Sequence, residues 1–205
     1  MLIVLIPKFQ NPKDFSQFCP ISLCTVLYKL VMKVIDNRFK NIFLNIIVQE
    51  QVRFIAERNI TDNIVITKEV IHSMKSNKSR KWMAIKIDLE KAYDRVLWDF
   101  IDASLLATGI LNYLRNVIIS AISNSSMQVL WNGVPTSKSK PIRGIRQGCP
   151  LFPYLFVLCM EWLGHSINLA LSRGIWNSIR LSHLGLPLSH LFFADDLVIF
   201  YKADA

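Results

Sequence analysis

Apolar residues follow two different spacings along this chain, and each spacing predicts one type of secondary structure. Helical spacing over ten or more residues predicts an amphipathic helix, whereas a short β-branched and aromatic run predicts a strand. Helices are predicted at about Ser22–Ile46, 61–74, Val96–Thr108, Asn112–Ile122 and, opened by two prolines, 150–170. Strands are predicted at Leu2–Ile6, Met83–Asp88, Met127–Trp131, Lys138–Ile142, His190–Ala194 and Leu197–Tyr201.

Polar residues set several limits of these elements. The segment 8–20 is polar and contains a proline, so it is expected to be a loop or a short hairpin. Thr61 or Asp62 is expected to cap the second helix, because a short polar side chain there can accept a bond from the first backbone amides. Asn132-Gly133 is a turn signal between the two strands that flank it.

Three apolar stretches bear on burial and on membranes. The apolar residues between Leu23 and Ile35 recur at helical spacing, so they are expected to form one face of an amphipathic helix. The run Leu151–Leu163 contains Glu161 and two prolines near its start, which predicts a buried helix and not a bilayer helix. Met1–Ile6 is too short for a signal peptide core or a membrane span. The sequence therefore predicts no membrane association.

Composition narrows the class of protein. Hydrophobic residues make up 52% of the 205 residues and charged residues 19%, which predicts an ordered globular protein and argues against disorder. The formal net charge is +9, which suits a polyanion such as nucleic acid or an anionic membrane surface, although many basic proteins bind neither. The basic segment 75–81 could follow a nucleic-acid backbone or remain solvated.

The four cysteines show no zinc-ligand spacing. They predict reduced thiols in an intracellular protein, in the nucleus or the cytoplasm, with a structural disulfide as the alternative.

Two adjacent acids lie inside an apolar hairpin near the end of the chain. Asp195 and Asp196 interrupt a run of Phe, Leu, Val and Ile between Phe192 and Phe200. Burying carboxylates in such surroundings is costly unless a positive group binds them, and a metal ion at the turn would offset that cost. The alternative is an ordinary surface turn, which Asp favours.

A second acid site follows the strand at Met83–Asp88. Asp88 ends that strand, and the alternative is that it only caps the following helix. Two strand-end acid sites together suggest one two-metal centre for phosphoryl transfer, with Asp88 and Asp195 as shared ligands and Asp196 nearby. Hard cations with oxygen ligands are expected, namely Mg²⁺, with Mn²⁺ possible.

The segment Pro141–Leu151 contains two glycines and two arginines. Glycines allow a backbone to approach a ligand closely, and arginines offer contacts to phosphates or bases. The alternative is a plain loop between a strand and a helix, with ordinary surface arginines.

These three segments, in this order, resemble the polymerase core of reverse transcriptases, and most of all the plant-type non-LTR (LINE-like) retrotransposon proteins. The matching motifs are IDLEKAYDRV, RGIRQGCPL and FADDLVIF, preceded by LIVLIPK, FCPISLCTVLYKLVMKVIDNRFK and RNITDNIVITKEVIH. The resemblance implies an α+β right-hand polymerase fold, with an antiparallel palm sheet packed on helices. Residues 1–82 would be a fingers-like region and 83–205 a partial palm core without a thumb, together a fragment of one reverse transcriptase domain.

The resemblance also implies roles for single residues. The metal-binding and catalytic acids would be Asp88, Asp195 and Asp196. Residues near the incoming nucleotide would be Tyr93, Gln147, Gly148 and Lys8, and residues along the template–primer groove would be Arg146 and Lys91. Tyr93 would exclude a 2′-hydroxyl, with helix packing as the alternative, and Lys8 could instead be a solvated lysine.

The implied function is RNA-directed DNA polymerase, with an RNA template, a DNA primer and deoxynucleoside triphosphates as partners. Some residues depart from the family pattern: Cys19 replaces an arginine, Cys149 an acid, Phe152 a serine, and Glu57 a common glycine. A neutral thiol cannot replace the fixed charge of the arginine. An inactive nucleic-acid-binding remnant of a retrotransposon protein is therefore the alternative function.

Overall fold

The computed structural model describes residues 1–48, 50–52, 58–76, 81–146, 148–182, 185–193 and 195–202, with the backbone alone at 41, 44 and 45. Its helices are α1 (Val26–Ile46), α2 (Ile60–Ser76), α3 (Ala92–Arg95), α4 (Trp98–Ala107), α5 (Asn112–Ser123) and α6 (Phe152–Ser172). Its strands are β1 (Leu2–Pro7), β2 (Phe18–Leu23), β3 (Trp82–Asp88), β4 (Gln128–Trp131), β5 (Val134–Pro135), β6 (His190–Phe193) and β7 (Asp196–Lys202).

The chain divides into two compact units. The first contains Met1–Ile42 and Lys91–Cys159, and the second contains Phe43–Glu90 and Met160–Ala205. Each unit is therefore made of two separate stretches of sequence. The division into fingers-like residues 1–82 and palm residues 83–205 stays a prediction.

A four-stranded sheet in the order β2-β1-β4-β5 lies in the first unit. Strand β1 pairs antiparallel with β2, from Leu2 opposite Leu23 to Pro7 opposite Phe18, and parallel with β4. The predicted loop or hairpin at 8–20 is thus a hairpin connection over residues 8–17, and residues 18–20 already belong to its second strand, which extends to Leu23. The first helix begins at Val26 and not at Ser22, because residues 18–23 are extended and bonded to β1.

The hairpin of β4 and β5 differs from the prediction. The predicted second strand at Lys138–Ile142 is wrong, because β5 follows the Asn132-Gly133 turn directly and Trp131 pairs with Val134. Both turn residues have positive φ, which matches the twist of the flanking strands and fixes this close register. Ser139 makes only an isolated bridge to Met127.

Helix α1 carries two apolar stripes, and the sequence pattern emphasised the one that is less buried. Val26 and Leu27 are 80% and 74% exposed, and much of the stripe between Leu23 and Val34 is also exposed. The buried side of α1 is formed by Met32, Ile35, Asp36, Phe39 and Phe43. Spacing alone cannot distinguish two apolar stripes on one helix, because both satisfy the helical period.

The second unit contains an antiparallel three-stranded sheet in the order β3-β7-β6. One face packs on α2, where Val70 joins Ile179, Leu191 and Phe200 in a buried cluster. Helix α2 begins at Ile60, so its N-cap is Asn59 and not Thr61 or Asp62. The side-chain oxygen of Asn59 accepts a hydrogen bond from the backbone N–H of Thr61 at 3.0 Å.

Helix α6 is 21 residues long and, by length and composition alone, apolar enough to cross a membrane. Half of its most apolar 18-residue window is buried inside the protein. Its first turns contain several fully or nearly fully buried side chains, among them Phe152, Leu155, Phe156 and Val157. The burial predicted for this run is confirmed.

Candidate functional site

The central strand β7 brings two of the predicted acids together. In the antiparallel pairing of β3 with β7, Asp88 lies directly opposite Asp196. Residues that face each other across antiparallel strands point to the same side of the sheet, with Cα atoms about 4.5–5.5 Å apart. The two carboxyl groups are therefore neighbours on one face, although they lie far apart in sequence.

The third acid lies next to this pair in the hairpin turn. Phe193 pairs with Asp196, and Asp195 lies in the turn that precedes Asp196. Asp88 is exposed, Asp195 is partly buried, and the side chain of Asp196 is 38% exposed. The buried residues of the hairpin are Phe192, Leu197 and Phe200. The acids thus lie at the solvent-facing end of the sheet and not inside its core.

A lysine that the sequence motifs do not include contacts this group. The Nζ of Lys86 lies 3.2 Å from Oδ1 of Asp196. Lys86 is two residues before Asp88 on β3, and side chains two apart on a strand share a face. The same spacing rule, applied to the residues around Asp88, was the signal in the sequence that could have identified it.

A cleft of about 370 Å³ opens beside Asp196 and Lys86. Helix α2 forms one wall, and the face of the sheet forms the other. Half of its lining residues are apolar, namely Ile60, Ile64, Phe193 and Val198, and the other half are polar or charged, namely Thr67, Lys68, Lys86 and Asp196. Asp196 and Lys86 therefore have apolar neighbours on one side and solvent on the other.

Carboxylate oxygens are the ligands that hard divalent cations such as Mg²⁺ and Mn²⁺ prefer. Within the ranges that the structure describes, no three His, Cys, Asp or Glu side chains are gathered closely enough to form a ready metal-binding group. The observed arrangement is an Asp88–Asp196 pair, with Asp195 adjacent in the turn and the ammonium of Lys86 on one Asp196 oxygen.

The other predicted site residues that the structure describes belong to the first unit. The two glycines of the segment 141–151 both have positive φ, +92° at Gly144 and +105° at Gly148. A Cβ on Gly144 would lie 2.8 Å from the backbone oxygen of Asp94, and one on Gly148 would lie 2.8 Å from that of Ser22. The glycines therefore permit close approach to the protein's own backbone, where the sequence predicted approach to a ligand.

Hydrogen bonds connect the same segment to the residues that follow β3. The backbone N–H of Gly144 donates to the Val96 carbonyl at 2.8 Å, and that of Ile145 donates to the Tyr93 carbonyl at 2.7 Å. The indole N–H of Trp98 donates to the carbonyl of Gly144 at 3.0 Å. The glycine segment is thus bonded on both sides of Gly144 to residues 93–98.

Arg146 is buried, with 7% of its surface exposed. Its guanidinium donates to the carbonyl of Ile122, in the last turn of α5, at 2.7 Å, and lies 3.7 Å from the sulfur of Met1. Burial lowers the pKa of this guanidinium. Its predicted contact with nucleic acid stays a prediction, and Gln147 lies outside the described residues, as do Glu57 and residues 77–80 of the basic segment.

The remaining predicted residues have local contacts. The ring of Tyr93 stacks on Phe156 with centroids 4.3 Å apart and an angle of 22° between the planes. Lys91 is exposed and has a left-handed backbone at the start of α3. Lys8 is exposed, and its ammonium donates to the Ser16 carbonyl at 3.2 Å. Their roles toward a nucleotide or a nucleic acid stay predictions.

All four cysteines belong to the described part of the chain, and none forms a disulfide. Cys149 is buried, and desolvation raises the pKa of its thiol to about 11. The thiol is therefore neutral at physiological pH. It does not supply the negative charge of the acid that the resemblance places at this position.

Comparison with known proteins gives one family. Residues 6–205 match the family model of reverse transcriptases (RNA-dependent DNA polymerases). The uncharacterized 149 kDa protein of transposon TX1 from Xenopus laevis is 29% identical over 206 residues, which cover 97% of this chain. The Pol polyprotein of the retrotransposable element R2DM from Drosophila melanogaster is 27% identical over 202 residues, or 96% of this chain.

A solved structure supports the fold. The telomerase of Candida tropicalis, solved with a fragment of telomeric RNA, superposes on 86% of this chain with a TM-score of 0.52 and 14% identity. This likeness confirms the predicted right-hand polymerase fold with mixed helices and sheets. The chain spans 15% and 18% of the lengths of the two retrotransposon relatives and 28% of the telomerase chain.

Proposed function

This chain belongs to the reverse transcriptase (RNA-dependent DNA polymerase) family, and we propose that it transfers deoxynucleotides to a primer on an RNA template. The observation that supports the proposal most strongly is the register of β3 and β7. It sets Asp88 opposite Asp196, one residue from Asp195, and so groups acids from two distant motifs at one sheet end.

The type of donor atom at this site fits a divalent cation. All three acids offer only oxygen atoms, and each is partly or largely open to solvent, so the site can exchange ions. Asp88, Asp195 and Asp196 would hold Mg²⁺, with Mn²⁺ as a substitute. When bound, a pair of such ions would lower the pKa of the attacking hydroxyl and stabilise the leaving pyrophosphate.

The protein itself would contribute positioning and charge. The three carboxylates would fix the primer end and the triphosphate relative to each other, because phosphoryl transfer is governed by orientation and charge neutralisation. Tyr93, Gln147, Gly148 and Lys8 are proposed around the nucleotide. Arg146 and Lys91 are proposed along the template–primer groove. The net charge of +9 suits both polyanionic partners.

Primer extension tests the proposal. The chain is incubated with an RNA template, an annealed DNA primer, deoxynucleotides and Mg²⁺, and extended products are separated by length. Asp195→Asn should abolish extension, because it removes a ligand charge while keeping the shape of the side chain. Glu69→Gln is the matched control, since Glu69 is an exposed acid on α2 outside the site. Unchanged extension by Asp195→Asn would exclude the proposed role of the hairpin.

One observation favours a second function, that of a remnant that binds nucleic acid without extending a primer. Cys149 is a buried neutral thiol where the resemblance expects an acid. A remnant would bind RNA or DNA with an affinity that falls as salt rises, because binding releases counterions from the phosphates. Salt-dependent binding together with no incorporation, under conditions where the protein is folded, would select this alternative.

A further inference from the structure

We propose that Lys86 is a positioning residue of the three-acid site. Its ammonium neutralises Asp196 when no divalent cation is bound, and it competes with a divalent cation for that carboxylate. The inference rests on the proposed function, because it assumes that Asp88, Asp195 and Asp196 bind the cation. No sequence motif singled out Lys86, and its role follows from its contact in the folded chain.

The geometry gives Lys86 direct access to the site. Its Cα is paired with that of Val198, which makes Asp196 its diagonal neighbour on the adjacent strand. Diagonal neighbours in antiparallel pairs are within reach of long side chains. The observed distance of 3.2 Å between Nζ of Lys86 and Oδ1 of Asp196 shows that the lysine spans this gap.

The charges explain why the site needs an internal cation. Asp88 and Asp196 lie directly opposite each other, and like charges in that position repel. The ammonium of Lys86 lies on the same face and offsets part of this repulsion. A divalent cation held by these acids would offset it more completely and would itself repel the ammonium. One carboxylate oxygen thus has two alternative cationic partners.

The exposure of the pair makes the exchange feasible. The Lys86 side chain is 65% exposed and that of Asp196 is 38% exposed. Ion pairs this accessible to water contribute little to stability, so the lysine can leave without disturbing the fold. Lys86 also has a flexible four-carbon side chain that can carry its ammonium into solvent.

Lys68 offers a control for the general effect of charge. It lines the same cleft from α2 and is exposed. Throughout the part of the chain that the structure describes, no ion pair joins Lys68 to another residue. Substitutions at positions 68 and 86 therefore remove the same charge from the same cleft, but only one of them breaks a contact with Asp196.

The test measures Mn²⁺ binding to the 205-residue chain by the loss of the free-ion signal in electron paramagnetic resonance at low ionic strength. We compare the unsubstituted chain with Lys86→Met, Lys86→Arg, Lys68→Met and Asp88→Asn. Lys86→Met should tighten binding about twofold to fivefold, the size expected for an exposed ion pair. Lys86→Arg should bind like the unsubstituted chain, and Lys68→Met should change the affinity less than about 1.5-fold. In about 0.5 M KCl the difference should shrink, because salt screens exposed charges.

Each other outcome overturns the inference in a recognisable way. Equal affinity of Lys86→Met and the unsubstituted chain would show that the lysine does not compete. Weaker binding by Lys86→Met would show that it supports the bound cation. An equal increase of Mn²⁺ affinity in Lys86→Met and Lys68→Met would show that the effect comes from net charge alone.

The same titration separates this inference from the proposed function. If the unsubstituted chain binds Mn²⁺ and Asp88→Asn does not, the site stands and only the Lys86 result decides the inference. If Asp88→Asn binds as well as the unsubstituted chain, the proposed site itself fails. Circular dichroism melting curves confirm that every variant is folded.

Discussion

At the acid-bearing end of β3 and β7, the charged side chains are in contact with water. In the segment 141–151, by contrast, the charge of Arg146 is buried, and Gly144 and Gly148 pack on neighbouring backbone. Asp88 is exposed and Asp196 partly so, and the partner of Asp196 is a long and exposed side chain, Lys86. Arg146, by contrast, is buried and bonded to a helix end.

This difference separates residues that can exchange their cationic partner from residues that stabilise the fold. An exposed carboxylate can exchange one cation for another at little cost, because water compensates each state. A buried guanidinium or a glycine pressed against backbone cannot move without leaving a polar group unpaired or atoms overlapping. We therefore expect substitutions of the acids to change ion binding more than stability. Substitutions of the buried arginine and the packed glycines should change stability more than ion binding.

The largest effect on stability is expected for Gly144→Ala. The added methyl would lie 2.8 Å from the backbone oxygen of Asp94, and the residue has a φ of +92°. Overlap and backbone strain together should lower the free energy of unfolding by about 3 kcal/mol. Urea unfolding measures the change. Gly109→Ala is the control, since Gly109 also has positive φ, but beyond its two chain neighbours no described atom lies within 4 Å of the place that an added methyl would occupy. It should lose about 1 kcal/mol.

A pH-dependent effect is expected at Glu161, a buried acid in the same unit as Asp196. Its carboxylate accepts a hydrogen bond from the backbone N–H of Val48 at 3.1 Å. Burial raises the pKa of Glu161 from 4.5 to about 7. The unfolded chain loses this proton at lower pH than the folded chain, so the contribution of Glu161 to stability should fall as pH rises from about 4.5 to 7.

Glu161→Gln removes this proton and should remove the part of the pH dependence of stability that Glu161 causes across that range. At a pH of about 8 the variant should be more stable than the unsubstituted chain by about 1–2 kcal/mol, and at a pH of about 4.5 the two should be equal. Urea unfolding between these pH values measures both. The exposed Glu69→Gln should follow the unsubstituted chain at every pH. If the stability of Glu161→Gln fell with rising pH as steeply as that of the unsubstituted chain, the pH dependence would belong to another group.

A smaller effect is expected for Arg146→Met. The substitution leaves the carbonyl of Ile122 without its guanidinium donor, which should cost about 1–2 kcal/mol of unfolding free energy. Arg143 is exposed, and Arg143→Met should cost less than about 0.5 kcal/mol. Salt-dependent RNA binding sharpens the contrast. The slope of log RNA affinity against log salt concentration reports the number of counterions released on binding. If Arg146→Met lowered this number by about one without a loss of stability, Arg146 would be identified as a phosphate contact instead.

The smallest effect on stability is expected for Asp196→Asn. It breaks an exposed ion pair with Lys86 but also removes the repulsion by Asp88, so the net change should be below about 0.5 kcal/mol. Mn²⁺ affinity should fall strongly in the same variant. A large loss of stability with unchanged Mn²⁺ binding would reverse the contrast between the two regions.

Much of the fold was accessible from local patterns. The strands near Asp88 and Asp195, the helix of Leu151–Leu163 and the turn at Asn132-Gly133 follow from periodicity and turn chemistry, which are properties of neighbouring residues. The predicted strand at Lys138–Ile142 failed because the register of a hairpin is set by its turn and not by the apolar pattern of its second strand. The exposure of the apolar stripe that includes Val26 and Leu27 on α1 could not be read from spacing, because burial depends on what packs against a helix.

The candidate site shows the same limit. Motifs identified Asp88, Asp195 and Asp196, but only the cross-strand register revealed which of them face each other. Lys86 was missed because its partner lies in a distant part of the sequence. The burial of Arg146 was missed because a carbonyl acceptor at the end of a distant helix leaves no signal in composition or spacing.

The most direct test of the central claim is to locate the bound cation. Crystals of the chain soaked in Mn²⁺ would be measured at a wavelength where manganese scatters anomalously. We expect an anomalous difference peak within coordination distance of the carboxylates of Asp88 and Asp195 or Asp196, with the ammonium of Lys86 moved away from Asp196. If, at a saturating Mn²⁺ concentration, anomalous peaks appeared only at other positions and the Lys86–Asp196 contact stayed intact, the result would contradict the proposed cation site.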